Sequence, residues 1–153
     1  MKLTIRLLSI LLCLAFALSL CACSCNGSKK ETEETFETLV SPLWDYATYL
    51  EDVELGHGKT TLNFTQRIDQ GYVNFTIHTD KETVGDALLE QDLIVGTQSE
   101  YGLYVTEVNG VTAEYVEGKS YWAFYVDDKL SNDSVDKIKI EEGKKYAFIY
   151  TKE

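Results

Sequence analysis

From residue 61 the chain alternates. Leu62, Phe64 and Ile68 are interleaved with Thr61, Asn63, Thr65 and Arg67; beyond Asp69-Gln70-Gly71, Val73, Phe75 and Ile77 are interleaved with Asn74, Thr76 and His78. Period two on both sides of a glycine-containing turn predicts a β-hairpin with one buried and one wet face. The period then changes. Thr83 heads a segment in which Val84, Ala87, Leu88 and Gln91 follow helical spacing, with Asp86 three residues after the candidate cap. That pattern predicts a short helix ending near Gln91. Gly96 is expected to open a loop running to about Gly102, and Leu103 to Val108 to form a strand. Asn109-Gly110 signals a tight primed turn into a short strand, Val111 to Tyr115. Two runs, YWAFYV (Tyr121 to Val126) and YAFIY (Tyr146 to Tyr150), are apolar at every position, and Val135, Ile138 and Ile140 suggest a further short strand between them. A β-hairpin, then one short helix, then a run of further strands predicts an α+β domain with that helix laid on a mixed sheet.

One short helix covers part of one sheet face. The first hairpin accepts this, because its other face is polar, but strands that are apolar on both faces need a second cover. Two candidates present themselves. The segment Leu43 to Leu55, with Leu43, Trp44, Tyr46, Tyr49 and Leu50, can fold back over it; alternatively the face stays open as an aromatic surface for a ligand or partner.

The first 25 residues have another character. Lys2 and Arg6 precede an apolar run from Leu7 to Leu20, which closes on Leu20-Cys21-Ala22-Cys23. A basic segment, an apolar stretch and a small residue before the cut mark an exported precursor. A cysteine after the cut resembles the bacterial lipoprotein pattern. Residues 1–22 are thus expected to be a signal peptide, with Cys23 as the lipidated residue and Cys25 as the alternative. An uncleaved membrane helix from Leu7 to Cys25 is the competing reading, since the run approaches the ~20 residues that span a bilayer. Either reading places the rest of the chain on the extracytoplasmic face of a membrane. Residues 26–35, NGSKKETEET, are polar and without apolar spacing, so 23–35 is expected to be a lipidated cysteine with a flexible spacer. One domain follows, 36–153, with its core at about 60–152.

All four cysteines, Cys13, Cys21, Cys23 and Cys25, lie in or beside the leader. The domain therefore has no disulfide, thiolate nucleophile or cysteine metal site, and an apolar core must hold it. The chain carries 14 basic and 25 acidic residues, a net charge of −11. Loss of Lys2 and Arg6 with the leader leaves 12 basic residues against 25 acidic ones, a balance of −13. That sign argues against nucleic acid as a partner.

Support for an enzyme or a resident metal is slight. His57 and His78 form no ligand pair, although His57 in its Gly-His-Gly loop is a candidate distal ligand for a cobalt centre. Asp127, Asp128, Asn132, Asp133 and Asp136 cluster after YWAFYV, but Leu130 stands where an EF-hand calcium loop requires an oxygen ligand, so a solvated turn is the better reading. No nucleophile elbow, phosphate-cradling loop or dinucleotide fingerprint is present. The sequons at Asn63, Asn74 and Asn132 are incidental in a lipoprotein.

The motifs from Phe75 to Thr151 resemble a known family. T-x-x-x-T-V-x-D-A-L (Thr79 to Leu88), YGLYV followed by VNG (Tyr101 to Gly110), YWAFYVD (Tyr121 to Asp127) and EGKKYAFIYT (Glu142 to Thr151) follow in order and at the spacing of the transcobalamin-like C-terminal domain of bacterial lipoproteins. The resemblance implies a β-grasp-like fold related to the second domain of transcobalamin and intrinsic factor. It implies a ligand-binding surface built from Tyr121 and Trp122, with Tyr101, Gly102 and Tyr104 flanking it, and cobalamin or a related corrinoid as ligand. Asn109 matches the asparagine of the turn, where a structural role is expected. The family's helical companion domain has no counterpart in this chain. The expected function is a membrane-anchored binding lipoprotein with no catalytic residues. The alternative is a cell-surface interaction or spacer domain that docks proteins or wall polymers without a small-molecule ligand.

Overall fold

A computed structural model of the chain describes residues 41–153. The expected signal peptide 1–22, the lipidation candidates Cys23 and Cys25, the spacer 23–35 and residues 36–40 of the expected domain lie outside the described residues.

The alternating segment folds as expected. β2 (Thr60–Ile68) and β3 (Gly71–Thr79) pair antiparallel, with Phe64 opposite Phe75 and Ile68 opposite Gly71. Leu62, Phe64, Ile68, Val73, Phe75 and Ile77 are buried on one face of this hairpin. β9 (Lys145–Lys152) lies parallel beside β2, and β7 (Ser120–Val126) runs antiparallel to β9. Two short strands, β1 (Val53–Gly56) beside β3 and β8 (Lys129–Leu130) beside β7, complete a mixed sheet in the order β1-β3-β2-β9-β7-β8. The helix α1 (Val84–Glu90) is capped by Thr83, whose hydroxyl accepts the Asp86 N–H at 3.2 Å. It sends Val84, Ala87 and Leu88 into the core. The α+β class, with a mixed sheet and one short packed helix, holds.

Three expectations need correction. The loop foreseen at 96–102 is largely a strand: β4 (Ile94–Ser99) pairs antiparallel with β5 (Gly102–Val108), with a register shift between Val95 and Gly96. Thr97, Gln98 and Ser99 are exposed and do not alternate, so backbone pairing rather than burial holds them there. With β6 (Val111–Thr112) these strands form a second, three-stranded sheet. The strand expected through Val135, Ile138 and Ile140 is instead a 3₁₀ turn, Val135–Lys137, followed by a single bridge between Thr83 and Lys139. It meets α1 end-on, with Val84 N–H donating to Ile138 O at 2.8 Å. Finally, the segment Leu43 to Leu55 does not cover the second face of β7 and β9. Its 3₁₀ turn, Pro42–Tyr46, buries Trp44 in the main core, and Tyr49 meets Phe75 edge-on at 5.9 Å. β1 then leaves along the sheet edge farthest from β7. The core thus includes Trp44, some fifteen residues before the expected 60.

Asn109 explains why the N-terminal segment packs where it does. The Asn109-Gly110 turn has φ of 50° and 82°, as a primed hairpin turn requires. The Asn109 amide donates to Gln66 Oε1 at 2.7 Å and Tyr49 O at 2.9 Å, and its carbonyl accepts Tyr49 N–H at 2.9 Å. Gln66, fully buried on β2, uses its own amide on Val108 O at 3.1 Å. One buried polar network therefore ties the large sheet, the small sheet and the N-terminal segment together.

Candidate functional site

β7 presents alternate residues to opposite sides, as any strand does. Trp122 and Phe124 point to the core side, packed with Phe148, Tyr146 and Tyr150. Tyr121 and Tyr125 point to the other side and stay half-buried. The pair Tyr121–Trp122, expected to face one ligand together, is therefore divided between two surfaces. Trp122 is only 6% exposed, and its indole N–H donates to Val111 O at 3.1 Å. What lies over it is the small sheet.

Four of the five residues singled out by the family resemblance converge all the same. Tyr101, Gly102, Tyr104 and Trp122 line an open groove of about 260 Å³ between β5 and β7, closed at one end by Ser134 and Val135. Trp122 forms part of the floor. Tyr101 at the β4–β5 hairpin tip and Tyr104 on β5 stand at the mouth, 78% and 48% exposed. The fifth residue, Tyr121, lines a neighbouring hollow of about 420 Å³ that shares Tyr104 and adds Tyr115 and Glu153. Tyr115, expected at the end of the Val111 to Tyr115 strand, instead starts a one-turn helix, α2 (Tyr115–Gly118).

The end wall of the groove is stitched to the β4–β5 hairpin. Asp136 accepts Leu103 N–H at 3.1 Å and the Gln98 amide at 3.2 Å, Ser134 donates its hydroxyl to Leu103 O at 2.9 Å, and Lys137 donates to Tyr101 O at 2.8 Å. Partial burial of Asp136 favours its neutral form, but the nearby Ser134 hydroxyl and the hydrogen bonds from the Leu103 N–H and the Gln98 amide outweigh this and hold the carboxyl below its ordinary value. Gly102 makes the close approach feasible. Its φ is +118°, and a Cβ there would lie 2.5 Å from Ser134 Cβ and 2.7 Å from Asp136 Oδ1. Asp136, read from sequence as part of a solvated acidic turn, is thus a structural acceptor; nothing local in the sequence distinguishes it from Asp133.

A third hollow, about 570 Å³, lies on the open face of the large sheet, where Tyr72, Tyr125, Ala147 and Ile149 are flanked by Arg67 and Lys145. His57 sits in the exposed turn between β1 and β2 and lines none of these three cavities. Among the described residues no group of three or more His, Cys, Asp or Glu side chains is placed to hold a metal ion, and no helix is long and apolar enough to cross a membrane.

The described residues thus form a small α+β domain with an aromatic groove between two sheets. Residues 81–152 match the family described as "Domain of unknown function (DUF4430)", known as a transcobalamin-like domain, so the resemblance read from the motifs holds over that stretch. Among solved structures, the fold is shared with a protein from Ruminococcus gnavus ATCC 29149 titled a "putative metal binding protein", at 24% identity and a TM-score of 0.59, over 62% of this chain and 99% of that one. A structure of haptocorrin in complex with Cbi aligns at 16% identity and a TM-score of 0.47, over 64% of this chain and 26% of that chain. No curated protein matches the chain.

Proposed function

We propose that the chain is a membrane-anchored, extracytoplasmic binding lipoprotein whose domain receives a corrinoid, cobalamin or a relative, at the β5–β7 groove. The observation that carries this reading is the convergence of Tyr101, Gly102, Tyr104 and Trp122 on one groove. The division of labour differs from the sequence expectation. Trp122 is too buried to be a stacking platform; the exposed rings of Tyr101 and Tyr104 supply the flat contact area, at low rotamer cost. A volume of about 260 Å³ lies below the roughly 300–1,000 Å³ of pockets that enclose a drug-sized ligand. The groove therefore grips one edge of a corrin ring and leaves the rest outside. Affinity is correspondingly modest unless a second protein closes over the exposed side. The fixed end wall around Asp136 limits what ordering the groove must undergo on binding.

Equilibrium dialysis of the full chain in detergent against cobalamin, read by corrin absorbance, tests this. Retention that falls when Tyr101 and Tyr104 are both changed to Ala supports it. No retention at high micromolar corrinoid, with folded protein, ends it.

A second reading, docking to a wall polymer, has its own observation. Arg67 and Lys145 flank the hollow on the open sheet face against the single acid Asp128, and neither makes an ion pair among the described residues, although the chain is strongly acidic. Such a face suits an anionic polymer. Co-sedimentation with purified cell walls, lost in an Arg67→Ala, Lys145→Ala variant but indifferent to corrinoid, would favour it.

A further inference from the structure

We propose that Tyr104, Tyr115, Tyr121 and Glu153 form a cage for a quaternary or methylated ammonium group carried by a small molecule. The four side chains line a hollow of about 420 Å³ beside the β5–β7 groove. Its walls are aromatic. Tyr115 and Tyr121 meet edge to face, with centroids 6.4 Å apart and planes at 67°, so together they make a corner. Tyr104 adds a ring from the facing sheet. A cation seated in the corner lies within the roughly 6 Å at which a ring's quadrupole attracts it.

The fourth wall is a carboxylate. Glu153 Oε2 accepts the Tyr115 hydroxyl at 3.2 Å, and among the described residues Glu153 makes no ion pair. That hydrogen bond, followed by the carboxylate's charge, raises the Tyr115 pKa, so the phenol keeps its proton, and donating it to the carboxylate leaves the ring more electron-rich. Placing a net negative group beside three ring faces selects positive charge.

The backbone holds the cage in shape. α2 is pinned to the start of β7, because Ser120 N–H donates to Glu114 O at 3.2 Å and the Ser120 hydroxyl accepts Glu114 N–H at 3.0 Å. Glu153 N–H donates to Lys119 O at 3.0 Å, which holds the Glu153 backbone beside α2, and the Tyr115 hydroxyl then meets its carboxylate. Tyr121 is set by its pairing with Thr151 on β9.

Methylation state follows from the chemistry of the lining. A primary ammonium has three strongly hydrated N–H groups, and the cage offers a single carboxylate in return. A methylated ammonium presents apolar methyl groups to the rings and gives up little hydration. The inference does not rest on corrinoid binding, since the two hollows share only Tyr104.

The test is an NMR titration of the full chain in detergent, following the tyrosine ring signals, with choline and with its neutral carbon isostere 3,3-dimethyl-1-butanol. Choline is expected to give saturable shifts at Tyr115 and Tyr121 and to bind at least about tenfold more tightly than the isostere, the difference being the cation–π and carboxylate attraction. Glu153→Gln and Tyr121→Leu should each weaken choline several-fold, while Tyr72→Leu, outside the cage, should leave it unchanged. Equal affinity for choline and isostere overturns the proposal, as does the absence of saturable shifts at tens of millimolar choline in a protein whose amide spectrum shows it folded.

Discussion

Replacing Asn109 separates two jobs that one residue performs. Its backbone sits at φ 50°, where most residues with a Cβ pay roughly 1–2 kcal/mol, whereas asparagine and glycine pay little. Its side chain makes three hydrogen bonds, one of them to the fully buried Gln66. In Asn109→Gly the turn survives but Gln66 Oε1 is left buried without a partner, a loss of about 1–3 kcal/mol. The two bonds to the Tyr49 backbone add about 1 kcal/mol between them, because that backbone is half-buried and regains water. The expected destabilisation is therefore about 2–4 kcal/mol. Asn109→Ala should lose the same network and a further ~1 kcal/mol for the left-handed backbone. Against a total of ~5–15 kcal/mol for a domain, either change is severe. Urea unfolding at constant m-value measures both. Amide exchange should show residues 41–50 opening first. The reasoning fails if Asn109→Gly unfolds within ~0.5 kcal/mol of the parent, for then the asparagine serves the turn alone and the buried network contributes nothing.

Gly102→Ala should destabilise by about 2 kcal/mol or more and displace the end wall of the groove, since the new methyl meets Ser134 and Asp136 and φ +118° is strained for alanine; thermal unfolding and corrinoid retention should fall together. Because the folded Asp136 carboxyl titrates below its unfolded value, the stabilisation it provides is complete above about pH 4 and is lost as pH falls through the folded value. The Leu103 amide shift should report that loss, and Asp136→Asn should remove the dependence. Thr83→Ala should cost about 1 kcal/mol, read from the thermal midpoint, because it removes the acceptor for the Asp86 N–H and leaves the rest of α1 in place.

The parts of the fold governed by periodicity were legible in the sequence. Leu62 to Ile77 alternates because one face is buried; Val84, Ala87 and Leu88 repeat helically because one stripe is; Asn109-Gly110 is a turn by backbone chemistry alone. β4 was not legible, because an exposed edge strand of Thr97, Gln98 and Ser99 is held by pairing and carries no hydrophobic signature. Val135, Ile138 and Ile140 misled because a 3₁₀ turn followed by extended chain also buries residues at short intervals. Of the candidate site, motif resemblance found Tyr101, Gly102, Tyr104 and Trp122, which are distant in sequence and adjacent in space. It also joined Tyr121 to Trp122. Neighbours on a strand face opposite ways, so strand geometry already argued against that pairing. Tyr115 and Glu153 had no signal at all, being brought together only when β9 runs back beside β7.

β1 and β8, the two outermost strands of the large sheet, span four residues and two. Each is too short to template a neighbour, and each carries charge, Glu54 on one and Lys129 on the other. Further along β7, beyond β8, Phe124 O accepts Ser131 N–H and Ser120 N–H is taken by Glu114 O, so the long strand offers no continuous ladder either. A protein held with its own copies at high density would meet them edge to edge many times over. Blunted margins keep the large sheet from extending edge to edge into that of a neighbouring copy.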